Sequence, residues 1–176
     1  MKMHSRFIPL AGGILALLCL FLPWIKFDIS LMPYEDRTAE AIIYSGFQID
    51  RFSLVTVAFI AALTILGLSI YTLNQKTPWK ARIPLLISSG TGLFCVVLIL
   101  ILFIQSFNSN IKKMSDIVFD ESATDLRRAI GFSFKDAFEK AISLQFGGFG
   151  AAIGFIVAII GAQNLPKSDP SIENSE

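Results

Sequence analysis

This sequence is poor in histidine and cysteine, and over four long stretches it has no Asp, Glu, Lys, Arg or His. Each absence excludes a class of chemistry. The one histidine, His4, stands near the start of the sequence, where a solvated side chain is expected. No His-based metal site or catalytic dyad can therefore be assembled. The two cysteines, Cys19 and Cys95, form no C-x-x-C pair, which removes a thiol–disulfide exchange enzyme. Both fall in apolar stretches, where a small core residue is the expected role; a disulfide needs two helices to bring them together. The formal net charge is only +1, so neither a basic excess for nucleic acid nor an acidic tract for a cationic substrate is present. No catalytic residue, cofactor site or metal site is expected, and the chain is read as not being an enzyme.

What is there is apolar length. The uncharged stretches are Phe7–Ile25, Phe52–Gln75, Ile83–Ile111 (strongly apolar as far as Ile104) and Ala141–Pro166. A hydrocarbon core about 30 Å thick needs roughly 20 residues at 1.5 Å each. With 53% hydrophobic and 16% charged residues, the composition agrees with an integral membrane protein. The expectation is an all-α membrane protein, a four-transmembrane-helix bundle with spans at about 7–25, 53–74, 83–105 and 143–163. Residues 1–166 form a single domain, with external segments 26–51 and 106–142 and a polar, disordered cytoplasmic tail at 167–176.

Lys2, His4 and Arg6 precede the first stretch in the manner of a signal peptide, but it ends Leu22-Pro23-Trp24-Ile25-Lys26 without small residues for cleavage. A retained helix with Trp24 as an interfacial anchor is expected there, and Trp79 marks the opposite boundary. Lys76, Lys80 and Arg82 in the short second loop, with Lys2 and Arg6, have no neighbouring acid. By the positive-inside rule both termini face the cytoplasm of a bacterial cytoplasmic membrane. The longer loops hold more cations in raw number, mixed with acids.

Both external segments carry pattern. Phe27, Ile29 and Leu31 alternate before the turn-prone Met32–Asp36, and Ile43, Ser45, Phe47 and Ile49 alternate after it. This reads as a short β-hairpin in the first external loop, with Thr38–Ile42 fitting a helical turn equally well. In the second segment Ile104, Phe107, Ile111, Met114 and Val118 recur at helical spacing, so the third helix continues beyond the membrane. Ser122–Asp125 approximates a capping box. From there Leu126, Ile130, Phe134, Phe138, Ile142 and Phe146 form an unbroken i, i+4 ladder into the last span. An extracytoplasmic helical hairpin extending the third and fourth helices is expected. It either stands upright or lies flat in the headgroup region; the uninterrupted ladder and its charge-mixed polar side favour the upright form.

Asp116, Asp120, Glu121 and Asp125 are close in sequence but lack the spacing of a calcium loop, so capping and solvation are the expected roles. Gly90-Thr91-Gly92 is a weak candidate for a broken helix, with close packing the plainer explanation. The strongest pattern is in the last span, where Gly150, Gly154, Ala158 and Ala162 repeat every four residues beside Gly147 and Ala151. In lipid, small residues permit the close backbone approach on which helix association depends. Gly12, Ala16, Ala58 and Ala62 offer mates. Packing within the bundle is favoured over a ridge offered to another protein.

The order helix, loop, helix, short basic turn, helix, loop, helix resembles the layout of tetraspanins and claudins. The tryptophan motif and cysteine pair of the claudin first loop and the Cys-Cys-Gly of the tetraspanin second loop have no counterpart here. The resemblance is one of architecture and implies no residue role.

The functional expectation is a non-catalytic subunit that packs within a larger membrane assembly and presents the external hairpin to a partner. Its partners are the lipid bilayer and other integral membrane proteins, without nucleic acid. Gly147, Gly150, Ala151, Gly154, Ala158 and Ala162, with Leu126, Ile130, Phe134 and Phe138, are the candidate interface. The alternative is a channel or transport component formed by oligomerisation, with Thr56, Thr64, Ser88, Ser89 and Thr91 lining a polar path. A lipid-directed enzyme would need the acids around Asp120.

Overall fold

The computed structural model describes residues 7–27, 42–45, 53–74, 78–118 and 142–166. Within them the chain is mostly helical, with a small sheet at one end. The helices are α1 (Phe7–Phe21), α2 (Leu54–Asn74), α3 (Arg82–Val118) and α4 (Phe146–Gln163), and a 3-10 turn at Pro78–Ala81 leads into α3. Each helix packs on two others, α1 on α2, α2 on α3, α3 on α4, and α4 back on α1. Leu54–Asn74, Trp79–Ser106 and Phe146–Gln163 are long and apolar enough to cross a membrane; α1, with 15 residues, is shorter.

α1 stops short of the expected Ile25. Pro23 has no N–H to donate, and its ring disfavours helical backbone at Leu22, so the helix ends at Phe21 and the chain bends at Leu22. It then runs extended as β1 (Pro23–Phe27), paired antiparallel with β2 (Ile42–Ser45). β1 thus begins four residues before Phe27, where the alternation placed the start of the first strand. Ile29, Leu31, Phe47, Ile49 and most of Thr38–Ile42 fall outside the described residues.

A third strand replaces part of the expected helical ladder. β3 (Ile142–Leu144) pairs antiparallel with the other edge of β1, giving the order β2-β1-β3. The expectation of one unbroken helix from near Ser122 into the last span is therefore corrected, because the backbone at Ile142 is extended. Tertiary pairing overrides a local period here. Gln145 N–H donates to the Trp24 carbonyl at 2.7 Å, tying the strand down immediately before α4 begins. Gly147 and Gly148, weak helix formers, follow at once. The all-α expectation is corrected to mostly helical with a three-stranded sheet.

α3 is continuous through Gly90–Gly92 and on to Val118, so the broken helix does not occur and the extension beyond the apolar part does. Residues 119–141, which include Leu126, Ile130, Phe134 and Phe138, lie outside the described residues, as does the tail 167–176.

Candidate functional site

The small-residue row of α4 sits against α1. A Cβ added to Gly12 would stand 2.5 Å from the Ala158 backbone nitrogen and 2.6 Å from the Gly154 carbonyl oxygen. Gly154 in turn faces Ala16, Gly150 faces Cys19 Sγ, and Gly161 faces Pro9. Each step of three or four residues forward along α1 matches a similar step back along α4, which is an antiparallel seam of backbone on backbone. Gly147, Gly150, Ala151, Gly154, Ala158 and Ala162 are all buried. The row therefore lies inside this chain, not on an outward face.

The large apolar residues take the opposite side. Phe149, Ile153, Ile156 and Ile160 of α4 are 44–50% exposed while the glycines and alanines beside them are enclosed. α1 follows the same rule, with Ile14 and Leu18 outward and Gly12, Gly13 and Ala16 inward. A water-soluble bundle buries its large side chains; small residues inside and large ones outside suit a bundle surrounded by acyl chains.

The sheet closes one end of this bundle through Trp24. Pairing of β1 with β2 shifts register between Pro23 and Ile25, a bulge that leaves one residue of β1 without an opposite number. Both Trp24 and Ile25 are consequently enclosed, at 0% and 2% exposure. Trp24 Nε1 donates to the Cys19 carbonyl at 3.0 Å, meeting one of the last four carbonyls of α1, which have no partner within the helix. The tryptophan expected as an interfacial anchor is thus a core residue. Its ring reaches α4, against Gly147 and Gly148.

Two further contacts fix the remaining helices. The Phe155 ring of α4 occupies the notch left by Gly92 of α3, and Phe21 of α1 meets Phe59 of α2 edge-on with centroids 5.9 Å apart. At the far end Lys80 Nζ lies 5.4 Å from the centroid of the Trp79 ring, a cation–π contact.

The polar residues do not converge. Ser89 donates to the Leu85 carbonyl, Thr72 to Ser69, and Thr64 to Ile60, each within its own helix. Ser89 is buried, Thr56 and Ser88 are half-buried, and Thr64 and Thr91 face outward. Two of these five thus face out of the bundle and three are wholly or partly enclosed in it. Cys19 and Cys95 are both buried and form no disulfide. Among the described residues no three His, Cys, Asp or Glu side chains come together; Asp120, Glu121 and Asp125 fall outside them.

Sequence reasoning did not single out Phe155 or the strand at Ile142. Gly92 was noted as part of a weak broken-helix candidate, with close packing the plainer explanation, and a phenylalanine is one of many in this chain. Pairing the two needs the α3–α4 register, which no local pattern carries. No protein-family model matches the chain, and neither a curated protein nor a solved structure matches it.

Proposed function

We propose that this chain is a non-catalytic integral membrane subunit with four spans, which presents the extension of α3, and the segment 119–141 that follows it, to a partner outside the bilayer. The observation that carries this reading is the length of α3. Its 37 residues rise about 55 Å, against a hydrocarbon core of about 30 Å, and its apolar part ends at Ser106. The remainder contains Lys112, Lys113 and Asp116 and continues as a helical rod to Val118. Because the small-residue row of α4 is engaged by α1, the outward partner surface is assigned to this rod, with Leu126, Ile130, Phe134 and Phe138 as its apolar complement. Lys76, Lys80 and Arg82 support a cytoplasmic α2–α3 turn, and cytoplasmic termini with it, under the positive-inside rule; a bacterial cytoplasmic membrane is the setting we propose.

The test is a photo-crosslinking residue at Ser109, which is exposed, beside a control at Ile60 in the middle of α2. A discrete adduct to one membrane protein from Ser109 and a lipid-only pattern from Ile60 is the expected result. Purification from native membranes as a lone monomer, with no adduct at Ser109, rejects the proposal.

A further inference from the structure

The described part of α1 follows Arg6 and does not span the hydrocarbon core by itself. Its 15 residues, Phe7–Phe21, rise about 22 Å, some 8 Å less than the hydrocarbon thickness. The chain does not turn away at Phe21, however. It continues as β1, with Trp24 and Ile25 enclosed. We infer that β1 completes the first span, so that the three-stranded sheet lies in the headgroup–acyl boundary of the bilayer and its outward residues are a lipid-contacting collar. This inference rests on the four-span reading above.

Register sets the depth. Gly148 of α4 packs against Leu100 of α3, and Gly92 of α3 against Phe155 of α4. The two helices are therefore antiparallel, and Leu100 stands level with the beginning of α4. β3, which precedes α4 directly, then lies level with the α3 residues just past Leu100. There Ile101, Leu102 and Ile104 are 44–47% exposed, and the exposed polar residues Gln105 and Ser106 follow. The apolar surface of α3 thus ends about 6 Å beyond Leu100, close to the level at which β3 gives way to α4.

The sheet carries its own apolar surface at the same level. Ile43 and Leu144 of the sheet, with Leu22 and Phe146 where it adjoins α1 and α4, are 42–63% exposed. The backbone bounds the depth from the other side. Among the described residues β2 and β3 form the two sides of the sheet, and strand backbone is accommodated less readily in hydrocarbon than at the boundary, where headgroups and water can satisfy it. The boundary region alone meets both demands.

Single cysteines at Ile43, Leu144, Ser109 and His4 test this in the full chain, whose own thiols are enclosed. In nanodiscs, which open both faces, a charged maleimide should label Ser109→Cys and His4→Cys readily and Ile43→Cys and Leu144→Cys about tenfold more slowly, because the reacting thiolate is disfavoured out of water. Nitroxides placed at Ile43 and Leu144 before reconstitution should respond to oxygen and not to a water-soluble nickel chelate. In sealed vesicles His4→Cys and Ser109→Cys should label from opposite faces. Labelling from the same face overturns the four-span reading itself. Opposite faces, combined with Ile43→Cys and Leu144→Cys reacting as fast as Ser109→Cys, overturn only the present inference. Nitroxides shielded from oxygen as well as nickel overturn it too, since protein and not lipid would then cover the collar.

Discussion

The edge of the Phe155 ring fills the space where a side chain on Gly92 would begin, with ring atoms Cε1, Cζ and Cδ1 the nearest neighbours of an added Cβ. Phe155 is fully buried, so the ring has nowhere to retreat. Gly92→Ala should destabilise the bundle by about 1–3 kcal/mol through overpacking. Adding Phe155→Leu should recover part of the loss, a coupling of about 0.5–3 kcal/mol between residues in contact. Thermal unfolding in a mild detergent of the two single variants and the pair measures it. Strictly additive losses would show that the ring and the glycine do not meet.

The α1–α4 seam predicts a harsher outcome. An added side chain at Gly154 meets the Ala16 backbone, and one at Gly12 meets the backbone of Ala158 and Gly154. Backbone cannot rotate aside as a side chain can. Gly154→Leu and Gly12→Leu should therefore part α1 from α4, and trimming Ala16 to glycine should give little relief to Gly154→Leu. The expected readout is loss of folded protein and rapid reaction of Cys19, which Gly150 otherwise covers. Were both variants to stay folded with Cys19 protected and lose only an associated protein, the seam would have to be an interface between chains.

Trp24 joins three elements, and its two functions separate by substitution. Trp24→Phe keeps most of the apolar ring but loses the Nε1 donor to the Cys19 carbonyl, with an expected cost of about 1 kcal/mol. Trp24→Ala empties the space between the sheet and α4 and should cost about 3–5 kcal/mol. Unfolding midpoints of the two variants in the same detergent provide the comparison. A phenylalanine variant as unstable as the alanine variant would mean that the hydrogen bond, not the packing, holds the sheet in place.

How much of this was legible in the sequence differs by element. The central spans could be read because uncharged length is a local property, and the α4 row because small residues every four positions have one structural use in lipid. Its mates Gly12 and Ala16 were found from the same logic. The end of α1 was misplaced because hydropathy runs unbroken through Leu22–Ile25, and only Pro23 marks the change. β3 was misread because Ile142 fits a helical period with Phe146; the extended backbone of Ile142–Leu144 is decided by pairing with β1, more than a hundred positions away in the chain. Trp24 followed the rule for interfacial tryptophan, and a β-bulge turned it inward instead. Residues defined by neighbours close in sequence could be assigned, and those defined by distant partners could not.

Gly67 and Gly90 supply the opposite case to Gly154. Neither has any atom within 4 Å of where a Cβ would stand, and both lie within helices. Gly67→Ala should therefore raise stability by about 0.5–1 kcal/mol, since glycine gives up more backbone freedom on folding and the new methyl group touches only solvent or lipid. Thermal unfolding scored by exposure of Cys19 and Cys95 to a thiol-reactive dye suits the measurement, both thiols being enclosed in the native state at 1% and 4% exposure. A loss of stability in detergent as large as that of Gly154→Leu would contradict the open space around Gly67. If Gly67→Ala is neutral or better in detergent but impairs an assembly in native membranes, another protein occupies that face, and α2 joins the α3 extension as a partner surface.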